Sequence, residues 1–273
     1  MLFRDYYTLT KPGIIYGNLV TTTAGFLLAA KNSVDPVLLL QLLFGTAAII
    51  GSGCVFNNII DLDIDKAMAR TKNRPLVRKS ITTTSGFIFA LTLGLVGFLI
   101  LALYTNTLTL ITGIVGFAFY IGVYSFWKRR SIFGTLVGSV SGATPPVAGY
   151  LAITNQVDTG AVLLFLILVF WQMAHFYAIA IYRLDDYKAA GIPVWSIKKG
   201  ILSTKIQILL YMIGFGLLIS LLTFFGYTGY TFIAILILFT LAWLKLAIEG
   251  FTVNNDKNWA RRVFLFSQIV IVV

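Results

Sequence analysis

Apolar runs long enough to cross a bilayer recur along this chain from end to end, and they limit what it can fold into more than any other feature. Segments 13–30, 37–57, 83–104, 107–127, 132–153, 160–182, 205–225 and 229–249 match the roughly 17–25 residues that a membrane helix needs. A ninth apolar stretch, RVFLFSQIVIVV, begins at 262 and is too short to span, so either the chain stops within a ninth helix or the segment ends partway. Backbone N–H and C=O groups find no water in hydrocarbon, so spans of this kind must be α-helical. The expectation is an all-α polytopic membrane protein with one transmembrane domain over residues 1–273.

Composition agrees. Charged residues make up 11% of the chain and the mean hydropathy is +0.89, against about 25% charged in a soluble domain. The N-terminal MLFRDYYTLTKPG lacks the short apolar core and small-residue cleavage site of a removable signal. The one cysteine, Cys54, excludes an internal disulfide, and no Cys/His cluster has zinc spacing. A net charge of +11 would point to nucleic acid in a soluble protein, but its distribution explains it otherwise. Of 21 Lys and Arg residues, only Lys31 lies in the loops 31–35, 104–107, 154–158 and 226–229, which leaves 20 on the other side. By the positive-inside rule that side, with the N-terminus, is cytoplasmic. Nucleic acid is not an expected partner; the lipid bilayer is.

The two long inward loops, 58–82 and 183–204, both begin with acidic residues, and aspartate at the end of a span is costly and commonly functional. In NNIIDLDIDKAMARTKNRPLVRK, Asn57, Asp61 and Asp65 are spaced i, i+4, i+8, which stacks them on one face if the helix continues past Phe56. Asn58 sits beside that stripe and Asp63 on another face. Like charges four apart destabilise a helix, and a divalent cation would relieve them. Mg²⁺ suits such oxygen donors, because it keeps several waters and binds one or two carboxylates plus substrate phosphates. Arg70, Lys72 and Arg74 follow within reach of phosphate oxygens. A calcium EF-hand is excluded, since the loop lacks its Gly and its closing Glu.

The second acidic stretch is FWQMAHFYAIAIYRLDDYKAAGIPV. Trp171, His175, Tyr182 and Asp186 fall on one face if the helix reaches Asp186. His175 is the sole histidine. Two readings stand side by side: a hydrogen-bonded residue of the bundle interior, or a haem contact. Asp185 and Asp186 together could hold a second Mg²⁺. Elsewhere, Pro145 and Pro146 in SGATPPVAGY imply a break or kink beside a cavity. The basic turn WKRRS, with Arg129 and Arg130, reads equally as a topological anchor or as a site for an anionic substrate.

Acid for metal and base for phosphate suit a substrate with a diphosphate head and a hydrocarbon tail, the shape of a prenyl diphosphate. Mg²⁺ would stabilise the leaving diphosphate, and aromatic faces would stabilise the allylic cation left behind. NNIIDLDID…RTKNRPLV resembles the first Asp-rich motif of the intramembrane 4-hydroxybenzoate polyprenyltransferase superfamily, commonly Asn-Asp-x-x-Asp-x-x-x-Asp. Asn57, Asp61 and Asp65 match, with Asn58 in place of Asp. The second motif, Asp-x-x-x-Asp in quinone-type members, reads Tyr182-x-x-x-Asp186. Both departures, with TKPGIIYGNL, SGCVFNN, VYSFWKRRS, GSVSGATPPVAGY, WQMAHFYAIAIYR and DKNWARRVF, are similar to the haem-farnesylating branch. Lys66 is a further departure: bacterial relatives often carry Arg there.

The resemblance implies about nine transmembrane helices around a central cavity open toward the cytoplasm, and Mg²⁺ dependence. It implies farnesyl transfer from farnesyl diphosphate to a vinyl group of haem B, giving haem O for a terminal oxidase or for haem A synthase. By position, Asn57, Asp61 and Asp65 would bind Mg²⁺-diphosphate, with Asp186 and Tyr182 completing the second site. Arg70, Lys72, Arg74, Asn58 and Lys66 would serve the diphosphate. His175 and Trp171 would face haem, with Arg129, Arg130 and Arg183 meeting propionates. The rival readings are a prenyltransferase acting on an aromatic quinone precursor and a transporter of a phosphorylated anion.

Overall fold

The computed structural model describes residues 2–31 and 33–272. Among them, eight helices are long and apolar enough to cross a membrane. In chain order, α1 is the short Leu2–Leu9, α2 Pro12–Ala30, α3 Pro36–Ile60, α4 the six-residue Leu62–Ala67 and α5 Thr83–Tyr104. The fourth span begins as α6 (Thr107–Ala118), passes through a π-helical segment, Phe119–Tyr124, and closes as α7 (Ser125–Trp127). Then come α8 (Gly134–Thr154), α9 (Thr159–Tyr182), the short α10 (Leu184–Ala189) and α11 (Trp195–Lys198), α12 (Ile201–Phe224), α13 (Tyr230–Glu249) and α14 (Asp256–Val272).

Local chemistry sets the boundaries. Pro12 and Pro36 open α2 and α3 at positions where the missing N–H costs nothing. Asp35, Thr82, Asn106 and Asp158 each accept a hydrogen bond from the first turn of α3, α5, α6 and α9. The apolar stretch from 262 is the distal part of α14, whose 17 residues start at the charged Asp256. α14 is not one of the eight spans.

The helices fall into two compact units. One comprises Met1–Phe126 with Thr144–Val157, the other Trp127–Ala143 with Asp158–Val273. In the first, α3 packs on α5, and the Ser52 hydroxyl donates to the Ala90 carbonyl at 2.6 Å. A Cβ at Gly97 would overlap the Gly45 carbonyl, so small residues set how closely these helices approach. In the second, α9 packs on α12 and α14 and is the most buried span. Trp243 and Trp259 donate to the Val263 and Leu246 carbonyls. Lys205 reaches both the Gly250 carbonyl and Asp256 at 2.5 Å.

Of the break or kink expected at Pro145 and Pro146, a break is absent: α8 is helical from Gly134 to Thr154 with both prolines inside it. Membrane helices tolerate proline where neighbouring groups take up the freed backbone positions. Here the residues around the pair are buried against close-packed backbone. A side chain at Gly25 would meet the Pro146 carbonyl, and one at Gly149 the Thr22 carbonyl.

Candidate active site

The stripe proposed from spacing survives a change of helix. α3 ends at Ile60 and α4 starts at Leu62, yet the Asp61 amide still donates to the Asn57 carbonyl at 2.9 Å. The Asp65 amide donates to the Asp61 carbonyl at 2.8 Å, so the i→i−4 ladder is continuous where it matters. Asn57, Asp61 and Asp65 are buried, whereas Asp63 points to solvent.

Basic groups already hold two of the three. Arg74 Nη1 pairs with Asp65 Oδ2 at 2.6 Å and also donates to Asn58 Oδ1 at 3.1 Å. Asn58 Nδ2 donates to the Leu9 carbonyl at 2.9 Å, so both ends of this amide brace the site. Thr71 closes the loop by donating to the Asp65 carbonyl. Lys66, Arg70 and Lys72 lie exposed on the same loop.

Sequence reasoning missed Lys11, whose Nζ donates to Asn57 Oδ1 at 2.9 Å. Burial lowers its pKa to about 8; Asp61 and Asp65 act against that shift and Arg74 adds to it. Asp5, also missed, is buried and paired with Arg78 of the loop, which fastens α1 over the stripe. The stretch TKPG carried the only available signal, a cation next to the proline that opens a span. One polar group of the stripe lacks a protein partner: Asn57 Nδ2 is buried without a hydrogen bond. An external acceptor, such as a phosphate oxygen or water, would satisfy it.

In the second unit, α9 ends at Tyr182, and Arg183 separates it from α10, whose first turn carries Asp185 and Asp186. Asp185 is exposed and reaches Lys257 at 3.6 Å, while Asp186 is half-buried. Tyr182 stacks on Phe264, with the Arg183 guanidinium 4.3 Å from its ring centre and that of Arg261 at 6.0 Å. His175 is buried, stacks on Trp171 at 4.8 Å and meets the same Phe264 at 5.0 Å, so Trp171, His175 and Tyr182 share a face, while Asp186, expected on it, lies beyond the end of α9.

Three groups of α14 position these rings. Trp171 Nε1 donates to the Ser267 carbonyl at 2.9 Å. The Ser267 hydroxyl donates to the Phe264 carbonyl, and its oxygen is hydrogen-bonded to His175 Nδ1 at 2.6 Å. Gln268 lies 3.3 Å from the same nitrogen. The hydrogen-bonded place expected for His175 is therefore present. Arg129 and Arg130 sit in the turn after α7, with Lys128 buried beside them.

Among the described residues, no three His, Cys, Asp or Glu side chains gather into a self-sufficient metal centre. The stripe offers two carboxylates and an amide oxygen. That hard, incomplete set suits a magnesium ion that also takes waters and substrate phosphates.

The UbiA prenyltransferase family model matches residues 18–269. The chain belongs to the UbiA prenyltransferase family. It is 52% identical over 272 residues to a protein from Protochlamydia amoebophila (strain UWE25) named protoheme IX farnesyltransferase, covering 100% of this chain and 96% of that one. A Yersinia pestis (strain Pestoides F) protein of the same name is 48% identical over 272 residues, covering 99% and 92%. Solved UbiA-type structures share the fold. A digeranylgeranylglyceryl phosphate synthase superposes with a TM-score of 0.80 at 18% identity, over 99% of this chain and 95% of that one. A UbiA homologue from Archaeoglobus fulgidus bound to GPP and Mg²⁺ gives 0.75 at 14% identity, over 98% and 100%.

Proposed function

We propose that this multi-pass membrane prenyltransferase moves a farnesyl group from farnesyl diphosphate to a vinyl carbon of haem B, giving haem O and diphosphate. The observation that carries this reading is the buried Asn57–Asp61–Asp65 stripe, in a chain about half identical, end to end, to proteins named protoheme IX farnesyltransferase. The prenyl C–O bond breaks with its electron pair leaving on diphosphate. The allylic carbon then bonds to the vinyl group, and water supplies the hydroxyl of the new side chain, with loss of a proton.

Asn57, Asp61 and Asp65 would hold the metal-bound diphosphate, with Asp186 and Tyr182 serving the second motif and Asp185 at its exposed edge. Bound Mg²⁺ would neutralise the charge that develops on the leaving diphosphate. Arg74 and Lys11 supply cations at the buried end of the stripe, and Lys66, Arg70 and Lys72 supply an exposed basic rim. Asn58 acts indirectly, by holding Arg74 in place. His175 and Trp171 are the haem side, supported by their stacked rings and the hydrogen bond that holds His175 Nδ1, with Arg129, Arg130 and Arg183 for propionates.

The excess of basic residues on one set of loops supports an inner-membrane protein with its N-terminus and charged loops in the cytoplasm. Haem O would pass to a terminal oxidase or to an enzyme that makes haem A.

The test is an end-point assay on purified protein with haem B, farnesyl diphosphate and Mg²⁺, read by liquid chromatography and mass spectrometry. A product with the mass of haem O is expected, absent with EDTA and reduced at least about a thousandfold in Asp65→Ala. Full activity in Asp65→Ala would sink the metal reading. A folded protein that prenylates an aromatic quinone precursor and binds no haem would replace the acceptor.

A further inference from the structure

The first acidic stretch is met by a cation from outside it, Lys11 at the corner between α1 and α2. Lys11 sits at φ 54°, ψ 66°, a left-handed conformation that is costly for a residue with a Cβ and disfavoured ahead of proline. The chain accepts this geometry between α1 and α2, and the result is an ammonium 2.9 Å from Asn57 Oδ1. That oxygen is one the stripe would offer a divalent cation, and the amide nitrogen of the same side chain is buried without a partner. Arg74 stands in the same relation to Asp65 Oδ2.

An ammonium and a divalent cation compete for one oxygen, since they repel each other and share its lone pairs. Lysine has the flexible four-carbon stem needed to give way. We propose that Lys11 is a resident counter-cation of the stripe, holding Asn57 while no metal is bound and transferring its ammonium to the diphosphate when metal and substrate arrive. Lys11 is thus a positioning residue before binding and a phosphate contact after it. The inference rests on the metal reading above and gives it a sequence of events.

Binding measurements on the detergent-solubilised protein separate the two ideas. Mn²⁺ affinity is read from free-Mn²⁺ electron paramagnetic resonance, and inorganic diphosphate affinity by calorimetry with Mn²⁺ present. Lys11→Gln, which keeps a donor for Asn57 but removes the charge, should bind Mn²⁺ about tenfold tighter and diphosphate about tenfold more weakly. Lys11→Arg should keep both within about threefold. Unchanged Mn²⁺ affinity in Lys11→Gln, or a fall in both affinities together, overturns the exchange and leaves Lys11 a structural residue. Undiminished Mn²⁺ binding by Asp61→Asn would instead overturn the metal reading itself, whatever Lys11 does.

A measurement on the unmodified chain guards against a variant that does not fold. Acetylation of Lys11, followed by peptide mass spectrometry, should speed up with Mn²⁺ alone and slow again when diphosphate is added. No response to Mn²⁺ in a protein that binds it would overturn the proposal.

Discussion

Asp65 is 4% exposed with Arg74 2.6 Å away, whereas the Asp185 side chain is 84% exposed and meets Lys257 only at 3.6 Å. The two acidic stretches carry similar residues but reach their geometry differently. Around residues 57–65, α1, the α1–α2 corner and the 68–82 loop supply protein partners that hold the carboxylate and amide side chains in place. Around 182–186, the fixed parts are aromatic and belong to α9 and α14, and of the two carboxylates Asp185 is exposed and Asp186 half-buried. A buried carboxylate is stable only with a partner, so the first stretch is preorganised by cations. The second can wait in water for its ligand.

Breaking the first arrangement should have the largest effect. Arg74→Met leaves Asp65 buried without its cation, at a cost of about 3 kcal/mol. The apparent melting temperature in detergent should fall, and excess Mg²⁺ should recover most of the loss, because the metal binds the vacated oxygen in the folded state. A melt unchanged by the substitution would mean that the pair contributes little.

In the second stretch, Asp186→Ala should lower the rate of product formation about a hundredfold without changing the melt. A shifted melt with normal turnover would make Asp186 a structural residue. Ser267→Ala removes the hydroxyl hydrogen-bonded to His175 Nδ1 and should weaken haem binding about tenfold, read by absorption titration. Haem affinity equal to that of the unaltered protein would detach His175 from the haem side. Asp185→Ala is expected to have the smallest effect, under about threefold in rate, because its one pair is long and solvated. A larger loss would show that the two adjacent aspartates act together.

Much of this was legible before any coordinates. Eight of the nine apolar segments coincide with helices long and apolar enough to cross a membrane among the described residues, since lipid leaves the backbone no alternative to helix. The i, i+4, i+8 spacing of Asn57, Asp61 and Asp65 held because the hydrogen-bond ladder passes through Asp61 despite the change of helix. Lys11 was not legible: its role depends on a backbone conformation that local preferences argue against. Nor were Ser267 and Gln268, which lie 92 and 93 residues from the histidine they hold. At Pro145 and Pro146 the helix continues where local rules allow a break, because the residues around the pair are packed against neighbouring backbone.

The π-helical stretch Phe119–Tyr124 has a consequence for how the family can vary. A π turn holds one residue more than an α turn at nearly the same rise. Here it carries Tyr120 and Tyr124 with rings parallel to within 6° and centres 5.8 Å apart. Removing a single residue from 119–124 would let the segment relax to the ordinary pitch without lengthening or shortening either flanking loop. The turns on either side would keep nearly their present faces, because the wide turn already absorbs the extra residue. That makes the segment a splice rather than a defect: one residue can be gained or lost there while every capping residue and charged loop stays in place.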